Sequence, residues 1–289
     1  GENDEPVGDE IKCDTDIDVI GYPVKEYEKI DLKLDLPTEF NFLTIAQVSP
    51  RKNISATVRS FINEFKDDDK VGLVMKINKV NDSLMDKHTV TQEIKNIIKT
   101  ENLGDIKCRI YILHGPMSEQ EIHSLYKQDN IHAYITTTHG EGYGLPIFEA
   151  AYSGLPVLAP AWSGHIDFLY MPEENKVSKK VKKVPMFTKI RYKLDHVQED
   201  ALVENMIIPE SKWSFVDIEA CMKMMRHVTK THKAQKSKAL KLKEYLQEEY
   251  SSDKIKEKII SSITKNFKEE EFSLDSWLET MEEDVQVNE

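Results

Sequence analysis

The sequence predicts an α/β fold in which a doubly wound parallel sheet is covered by helices on both faces. Short apolar runs alternate with segments of helical periodicity from about residue 40 to residue 159, and this strand–helix alternation is typical of parallel sheets. The chain of 289 residues is long enough for one full domain with appendages. Its 39% hydrophobic residues are ordinary for a globular protein.

Five strands and four helices are predicted in this region. The strands are expected, in order, at residues 40–46, 71–77, 109–113, 131–136 and 157–159. Apolar side chains recur with helical spacing in the first two helices, at Ile54, Val58, Phe61, Ile62 and Phe65, then at Val90, Ile94, Ile97 and Ile98. Ser118 and Glu121 have the spacing of a capping box that opens the third helix, whose apolar positions are Ile122, Leu125 and Tyr126. The fourth helix is expected from about Leu145 to Ser153, where Gly154 is suited to end it.

Three regions lie outside this pattern. Residues 1–39 are acidic and are predicted to be a tail and linker, and residues 172–212 are predicted to be an irregular insertion in a domain that spans residues 40–267. Helices are expected from Phe215 onward. Residues 268–289 are expected to form a very acidic C-terminal helix or tail. Its apolar residues lie on one face, which packs either on this domain or on another domain: Trp277, Leu278, Met281 and Val285.

The composition excludes several classes of protein. The chain has 39 basic and 51 acidic residues, for a formal net charge of -12, whereas nucleic-acid binding requires a basic face. No apolar run approaches the roughly 20 residues of a membrane span. The first ten residues lack the apolar stretch of a secretory signal. The three cysteines form no CxxC pair, so the predicted compartment is the cytosol.

Residues 176–193 are basic, against the trend of the chain. They contain seven lysines, one arginine and no acidic residue, and the stretch from Val184 to Leu194 can pair as a strand at the centre of the insertion. Two interpretations stay open. The segment is either a solvated hairpin or a surface that attracts an anionic acceptor, such as a lipid-linked phosphate or the headgroups at a membrane surface.

The strongest candidate site follows the fourth predicted strand. Three glycines there let the backbone turn sharply and let a ligand approach closely: Gly140, Gly142 and Gly144. Ligands of doubly wound sheets bind beyond the carboxyl ends of strands, and the free N–H groups at a helix start attract a diphosphate. Glu141 and Glu149 lie on either side of the turn, where their carboxylates can accept hydrogen bonds from ribose or another polyol. Spacing alone leaves a second interpretation open, in which the turn is ordinary and the carboxylates are solvated or favour the helix N-terminus.

Residues 141–158 resemble the Glu-x7-Glu signature of the family 4 retaining glycosyltransferases, including the Gly-x-Pro-Val that trails it at residues 154–157. Upstream, the segment Gln-Val-Ser-Pro-Arg-Lys-Asn at residues 47–53 is similar to the phosphate-binding turn of that family. Lys52 fills the position of the family's lysine. Gln47 stands where the family has arginine, and Arg51 can supply the missing charge.

The resemblance implies a GT-B fold, in which two Rossmann-like halves face a cleft and the C-terminal half holds a nucleotide sugar. It implies that Glu149 contacts the ribose, that Glu141 lies near the donor sugar and that Lys52 contacts the diphosphate. It also implies that the loop after the third strand passes the nucleobase and that residues 163–165 approach the diphosphate and sugar. The catalytic candidates are Glu141 and Lys52. The predicted donor-binding residues are Gln47, Arg51, Lys52, His114, Gly115, Gly142, Tyr143, Gly144, Leu145, Glu149, Gly164 and His165.

The function implied by the resemblance is transfer of a sugar, with retention, from a nucleotide-diphosphate sugar to a glycan or lipid-linked acceptor. Lys52 and the amides after Gly142 would stabilise the departing diphosphate. No cofactor or metal is expected. Asp14, Asp16 and Asp18 form a DxD pattern in the acidic tail rather than at the end of a buried strand, where such a pattern binds metal in another glycosyltransferase fold.

The resemblance also raises the question of an acceptor-binding half. A domain of about 150 residues or more is expected before the donor half, whereas 39 residues precede the first predicted strand. The chain is therefore expected to be a donor half that works with an N-terminal half, in its parent protein or in a partner chain. The alternative is a catalytically silent module that binds nucleotide sugar or a partner. Another GT-B enzyme, such as a sugar-nucleotide epimerase, is disfavoured because the match includes the flanks of the signature.

Overall fold

The computed structural model describes residues 17–23, 25–174, 179–204 and 207–265. Ten strands are present in these residues: β1 (Phe40–Gln47), β2 (Val71–Asn78), β3 (Arg109–Leu113), β4 (Ala133–Ile135), β5 (Val157–Pro160), β6 (Tyr170–Glu174), β7 (Val181–Pro185), β8 (Thr188–Ile190), β9 (Tyr192–His196) and β10 (Lys212–Val216). Eight α-helices accompany them: α1 (Ile54–Phe65), α2 (Leu84–Thr100), α3 (Glu119–Leu125), α4 (Leu145–Tyr152), α5 (Ile166–Leu169), α6 (Ile218–Lys230), α7 (His232–Glu249) and α8 (Ser252–Thr264).

Six of the strands form one parallel sheet in the order β3-β2-β1-β4-β5-β8. Phe42 and Leu43 in β1 are successive residues that point to opposite faces of the sheet, and both are fully buried. Leu73 and Val74 in β2 are buried in the same way. The sheet is therefore covered on both faces, as the uninterrupted apolar runs predict, and the α/β fold class is confirmed.

The strand order has a switch point between β1 and β4. From β1 the chain proceeds outward to β2 and β3, and it then returns to place β4 on the other side of β1. Loops leave the carboxyl ends of β1 and β4 in opposite directions at such a point, which opens a crevice between them. The two segments that resemble the phosphate-binding turn and the Glu-x7-Glu signature follow β1 and β4, so the topology brings them together.

The helix signals are confirmed where the structure describes them. Ser118 Oγ accepts from the Glu121 amide and the Glu121 carboxylate accepts from the Ser118 amide, which completes the predicted capping box of α3. Gly154 adopts φ +75° just after α4, a left-handed conformation that ends helices and favours glycine. The helices expected from Phe215 onward begin later, because Phe215 and Val216 still belong to β10. From Ile218 onward the described chain is helical apart from short connections, in α6, α7 and α8.

The prediction that residues 172–212 are irregular is wrong. The segment contains β7, β8 and β9, and β8 pairs in parallel with β5, so that it forms an edge of the main sheet. β6 and β7 form one antiparallel hairpin, and β9 and β10 form another. The strand indicated at residues 184–194 is divided in the structure between the end of β7, the whole of β8 and the start of β9. The pairing of β8 with β5 is not predicted, because β8 has three residues and its central Lys189 is exposed between the buried Thr188 and Ile190.

The described chain divides into two units. The first spans Glu26–Leu246, and part of the predicted linker runs along it. The Ile30 amide donates to Ser124 Oγ at 3.0 Å, and Gln128 Nε2 donates to the Ile30 carbonyl at 2.8 Å. Asn130 Nδ2 donates to the Leu34 carbonyl at 3.1 Å.

The second unit combines α8 with the described residues from 17 to 25. Within it, Asp18 Oδ2 accepts hydrogen bonds from Ser262 Oγ and from Lys265 Nζ at 2.5 Å and 2.7 Å. Asp14, Asp16 and the predicted acidic helix or tail at residues 268–289 lie outside the described residues. No described helix combines the length and the apolar character that a membrane span requires.

Candidate functional site

Two loops meet at the switch point: the β1 loop (residues 48–53) and the β4 loop (residues 136–144). The β1 loop makes a short 3-10 turn from Pro50 to Lys52 and leaves it through Asn53, whose φ is +50°. The His139 amide donates to the Arg51 carbonyl at 2.8 Å. Asn53 Nδ2 donates to the Thr137 carbonyl at 3.1 Å. These bonds fix the backbone of Arg51 and Lys52 against the β4 loop.

Glu141 holds both cations of the β1 loop. Its Oε1 lies 2.6 Å from Lys52 Nζ, and its Oε2 lies 2.8 Å from Arg51 Nη1. The Glu141 side chain is 8% exposed, the Lys52 side chain 16% and the Arg51 side chain 39%. Burial alone raises the pKa of Glu141, but the hydrogen bonds from Lys52 and Arg51 outweigh it, so the pKa lies below its ordinary value. The carboxylate is therefore ionised at neutral pH, and the three groups carry one net positive charge.

A third loop, the β5 loop (residues 161–165), closes against the β4 loop. Ser163 Oγ accepts from the Glu141 amide at 2.8 Å and donates to the Glu141 carbonyl, and the Gly164 amide donates to the same carbonyl at 3.0 Å. A Cβ on Gly164 would lie 1.9 Å from the Gly142 carbonyl oxygen, so this approach requires a glycine at position 164.

The N-terminus of α4 faces the same crevice. Gly144 caps the helix with φ +89°, and Pro146 lies in its first turn. The amides of Gly142, Gly144 and Leu145 make no hydrogen bond within the described part of the chain. Free amides and the positive end of a helix dipole bind anions. The Tyr143 ring packs on Phe148 and Phe168, with centroid distances of 5.3 Å and 5.2 Å.

Glu149 lies one turn into α4 and is partly open to solvent. Its side chain is 21% exposed, and its Oε1 lies 3.9 Å from His123 Nε2. Tyr126 Oη donates to its Oε2 at 3.0 Å. Burial raises the pKa of Glu149, and the hydrogen bond from Tyr126 offsets that rise in part. The carboxylate is thus oriented by Tyr126 and retains lone pairs for a ligand.

The side chains of three other predicted residues are bonded within the fold. Gln47 Nε2 donates to the Lys79 carbonyl at 2.8 Å. His114 Nε2 donates to Asp86 Oδ2 at 2.8 Å, with both side chains nearly buried. That bond is the largest cause that lowers the pKa of Asp86, to about 2. His165 is fully buried, and its Nε2 donates to the Pro160 carbonyl at 2.7 Å.

The loop after β3 is also fixed by a hydrogen bond from the neighbouring strand β2. The Gly115 carbonyl accepts from Lys76 Nζ at 2.6 Å, and Gly115 adopts φ +107°. If this loop passes the nucleobase, it does so through its backbone, because the His114 ring is turned toward Asp86. The structure therefore brings Arg51, Lys52, Glu141, Gly142, Gly144, Leu145 and Gly164 to one crevice, and it turns the side chains of Gln47, His114 and His165 to other partners.

Sequence reasoning missed two of the groups that shape this site. The sequence predicts Tyr126 only as an apolar helix position, yet its hydroxyl orients Glu149 from 23 residues away. Asp86, which holds His114 and the amides of Lys79 and Val80, carries no motif at all. No described residues form a group of three or more metal-ligating side chains that could hold an ion.

Comparison with known proteins gives one family and a set of structural neighbours. The model of the family described as "Family 4 Glycosyltransferase in conflict systems" matches residues 86–259, more than half of the chain. No curated protein sequence matches the chain.

The similar solved structures share the fold at low sequence identity. S. aureus TarM, solved with fondaparinux, alpha-GlcNAc-glycerol and UDP, is 18% identical with a TM-score of 0.55, over 86% of this chain and 40% of TarM. Sucrose-phosphate synthase from Thermosynechococcus elongatus is 16% identical with a TM-score of 0.54, over 82% of this chain and 47% of the synthase. Anabaena HepE, solved with UDP and glucose, is 13% identical with a TM-score of 0.51, over 78% of this chain and 48% of HepE. The chain thus spans less than half the length of each of these three proteins.

Proposed function

Because the chain belongs to the family 4 glycosyltransferases of conflict systems, we propose that it is a donor-binding half that transfers a sugar, with retention, from a nucleotide-diphosphate sugar to a glycan or lipid-linked acceptor. The observation that carries this proposal is the ion cluster at the switch point. Lys52 and Arg51 both bind Glu141, directly in front of the free amides at the start of α4.

The cluster suits a diphosphate better than an uncharged ligand. Two cations and a helix N-terminus converge on one crevice, and a single carboxylate compensates only one of the two charges. An incoming diphosphate can take over the hydrogen bonds of Lys52 and Arg51 and add those of the Gly142, Gly144 and Leu145 amides. Glu141 would then be released toward the hydroxyls of the attached sugar.

The same groups can lower the barrier to transfer. When the bond from the sugar C1 to the phosphate oxygen breaks, negative charge grows on the departing diphosphate. Lys52 and the amides would stabilise that charge, and preorganised donors of this kind are among the largest contributions to catalysis. We propose that these groups serve in place of a metal, and that no further cofactor takes part.

Glu149 is proposed to bind the ribose. Its carboxylate lies one helical turn beyond the free amides, and Tyr126 holds it in one orientation. We propose that the ribose would lie on this side of the diphosphate and the sugar on the other. An ionised carboxylate that accepts from two vicinal hydroxyls discriminates a nucleotide from inorganic diphosphate.

We also propose how the acceptor is presented and where in the cell the protein acts. The acceptor would be presented by an N-terminal half, in the parent protein or in a partner chain. The exposed lysines of β7, Lys182 and Lys183, would attract an anionic acceptor or a membrane surface. We place the protein in the cytoplasm.

The proposal is tested by calorimetry with UDP, GDP and ADP and with a hexose conjugate of each. UDP is the first choice because TarM and HepE were solved with it. One nucleotide series is expected to bind and to raise the melting temperature by mass action. Absence of binding by all three series would reject the proposal. Binding without turnover, once the N-terminal half is supplied, would favour a catalytically silent module.

A further inference from the structure

Two aromatic residues stand side by side at the carboxyl edge of the sheet. β5 and β8 are parallel neighbours in which Pro160 is opposite Ile190. Trp162 and Tyr192 each lie two residues beyond these ends, so the register brings them together. Their ring centroids are 6.4 Å apart and their planes are inclined by 46°.

Both rings are anchored at the β5 loop, which closes against the loop that carries Glu141. Tyr192 Oη donates to the Ala161 carbonyl at 3.0 Å, which fixes the backbone just before Trp162. Trp162 is followed directly by Ser163, the residue that binds both backbone groups of Glu141. The indole Nε1 lies 3.7 Å from the point that a Cβ on Gly140 would occupy. The indole therefore flanks the turn that presents Glu141.

The two rings keep part of their surface exposed. Trp162 and Tyr192 are each half-buried, although most large apolar side chains at the ends of these strands are enclosed. The Trp162 indole N–H makes no hydrogen bond within the residues that the structure describes. An aromatic face with an unused N–H donor, beside the turn that carries Glu141, offers an apolar surface with a polar group at its rim.

We propose that Trp162 and Tyr192 form a saccharide-binding face. The C–H groups on one side of a pyranose ring pack on the aromatic surface, the Trp162 N–H donates to a ring hydroxyl, and Glu141 accepts from another. The proposal rests on the proposed function, since it concerns a sugar beside the diphosphate. The saccharide is either the donor sugar or the acceptor, because the face lies beside the proposed diphosphate site and both sugars would approach that site.

The experiment separates the sugar from the nucleotide. Dissociation constants for UDP, GDP and ADP and for their hexose conjugates are measured with the wild type, with Trp162→Ala and with Trp162→Phe. If the face holds the donor sugar, Trp162→Ala weakens binding of the hexose conjugate by about tenfold relative to the wild type and changes the affinity for the bare nucleotide by less than about twofold. Trp162→Phe retains most of the affinity for the conjugate, because an aromatic ring remains. Loss of fold would weaken both ligands, and the melting temperature of each variant reports it directly.

A second arm tests the acceptor. Methyl α-glucoside and methyl α-N-acetylglucosaminide are titrated with and without saturating nucleotide. If the face holds the acceptor, one of them binds the wild type and Trp162→Phe but not Trp162→Ala, and the conjugates are unaffected. If neither conjugate nor glycoside affinity depends on Trp162, the proposal is overturned while the proposed function stands. If no nucleotide binds the wild type, the proposed function fails, and the glycoside titration still decides for or against the face.

Discussion

Lys52 and Glu141 form an ion pair with a separation of 2.6 Å between Nζ and Oε1, although 89 residues separate them in sequence. Arg51 binds the second oxygen of the same carboxylate. The two cations are thus held at the crevice in the absence of a ligand, and the Glu141 carboxylate accepts their hydrogen bonds there. Under the proposed function, a ligand that brings two negative charges would replace the carboxylate, so that binding of the diphosphate and release of Glu141 would be one event.

The first prediction concerns the charge of Glu141. Glu141→Gln keeps one hydrogen-bond acceptor for the cations but removes the negative charge that competes with a diphosphate. We expect nucleoside diphosphate to bind more tightly, by about threefold or more at low ionic strength, with the gain shrinking as salt screens it. Calorimetry at low and high salt measures this.

The control is Glu219→Gln, which removes an equal charge from a side chain that is 83% exposed. It should leave nucleotide affinity unchanged. Weaker binding by the Glu141→Gln variant would show that the carboxylate organises the cations rather than competing for them.

The second prediction ranks the two cations. Lys52→Met should weaken nucleoside diphosphate binding by about thirtyfold or more, because it removes a charge-assisted contact and leaves Glu141 with one partner. Arg51→Met should cost less, since the Arg51 side chain is 39% exposed and that of Lys52 is 16% exposed. Dissociation constants decide the order. Lys223→Met, at a side chain that is 74% exposed, is the matched control and should bind as the wild type does.

The sequence predicts the fold well because the information is local. Five strands and the helices between them follow from apolar periodicity, from the Ser118 capping box and from the Gly154 stop. The site's place on the chain follows as well, since the loops after β1 and β4 become neighbours in any sheet with this switch point.

What the sequence does not predict depends on tertiary pairing. His114 is predicted to accompany a loop near the nucleobase, yet its ring binds Asp86, which lies 28 residues earlier in a segment without a motif. The neighbourhood of Trp162 and Tyr192 requires the pairing of β5 with β8, and the three residues of β8 carry too little periodicity to reveal it. Pairings of this kind are determined by tertiary packing, and the distance between two residues along the chain does not indicate whether they pack together.

The third prediction concerns Glu149 and the ribose. Glu149→Ala should weaken a nucleoside diphosphate by about tenfold, because two hydroxyls lose an ionised acceptor. It should leave inorganic pyrophosphate unaffected, since that ligand has no ribose. Tyr126→Phe, which removes the hydrogen bond to Oε2 but keeps the carboxylate, should give a smaller loss. Equal losses of affinity for nucleoside diphosphate and for pyrophosphate would show that Glu149 acts on the diphosphate or on the stability of the fold, and not on the ribose.

The fourth prediction is that Glu141 and Glu149 affect the stability of the fold in opposite directions as pH changes. The pKa of Glu149 is raised above its ordinary 4.5, so its ionisation costs the folded state, and the wild type loses stability as pH rises through the raised value. Glu149→Gln should therefore gain melting temperature relative to the wild type as pH rises. The pKa of Glu141 is lowered, so its contribution is present above the ordinary value and is lost as pH falls through the folded value.

The measurement is thermal unfolding of the two variants and the wild type between about pH 4 and about pH 8. Glu141→Gln should be less stable than the wild type at the upper end, by a few degrees, since about 1 kcal/mol shifts the melting temperature of a domain of this size by roughly 2–4 °C. The deficit should shrink toward the lower end. Parallel curves for both variants would contradict the opposite pKa shifts.

The fifth prediction tests the contact between the β4 and β5 loops. In Gly164→Ala the new Cβ would lie 1.9 Å from the Gly142 carbonyl oxygen, and backbone atoms on both sides leave no flexible group to move aside. The loops must separate, which disturbs the Glu141 backbone and the free amides that follow it. We expect a loss of about 1–3 kcal/mol in stability and a marked loss of nucleotide affinity.

Gly142→Ala provides the matched control, because a Cβ at that position meets no atom within 4 Å and the backbone conformation there is one that alanine adopts readily. Its melting temperature should equal that of the wild type. If Gly164→Ala were equally stable, the two loops would have to be further apart in solution than the hydrogen bond from the Gly164 amide to the Glu141 carbonyl requires. The crevice in front of α4 would then lack the rigid wall that holds its amides toward a diphosphate.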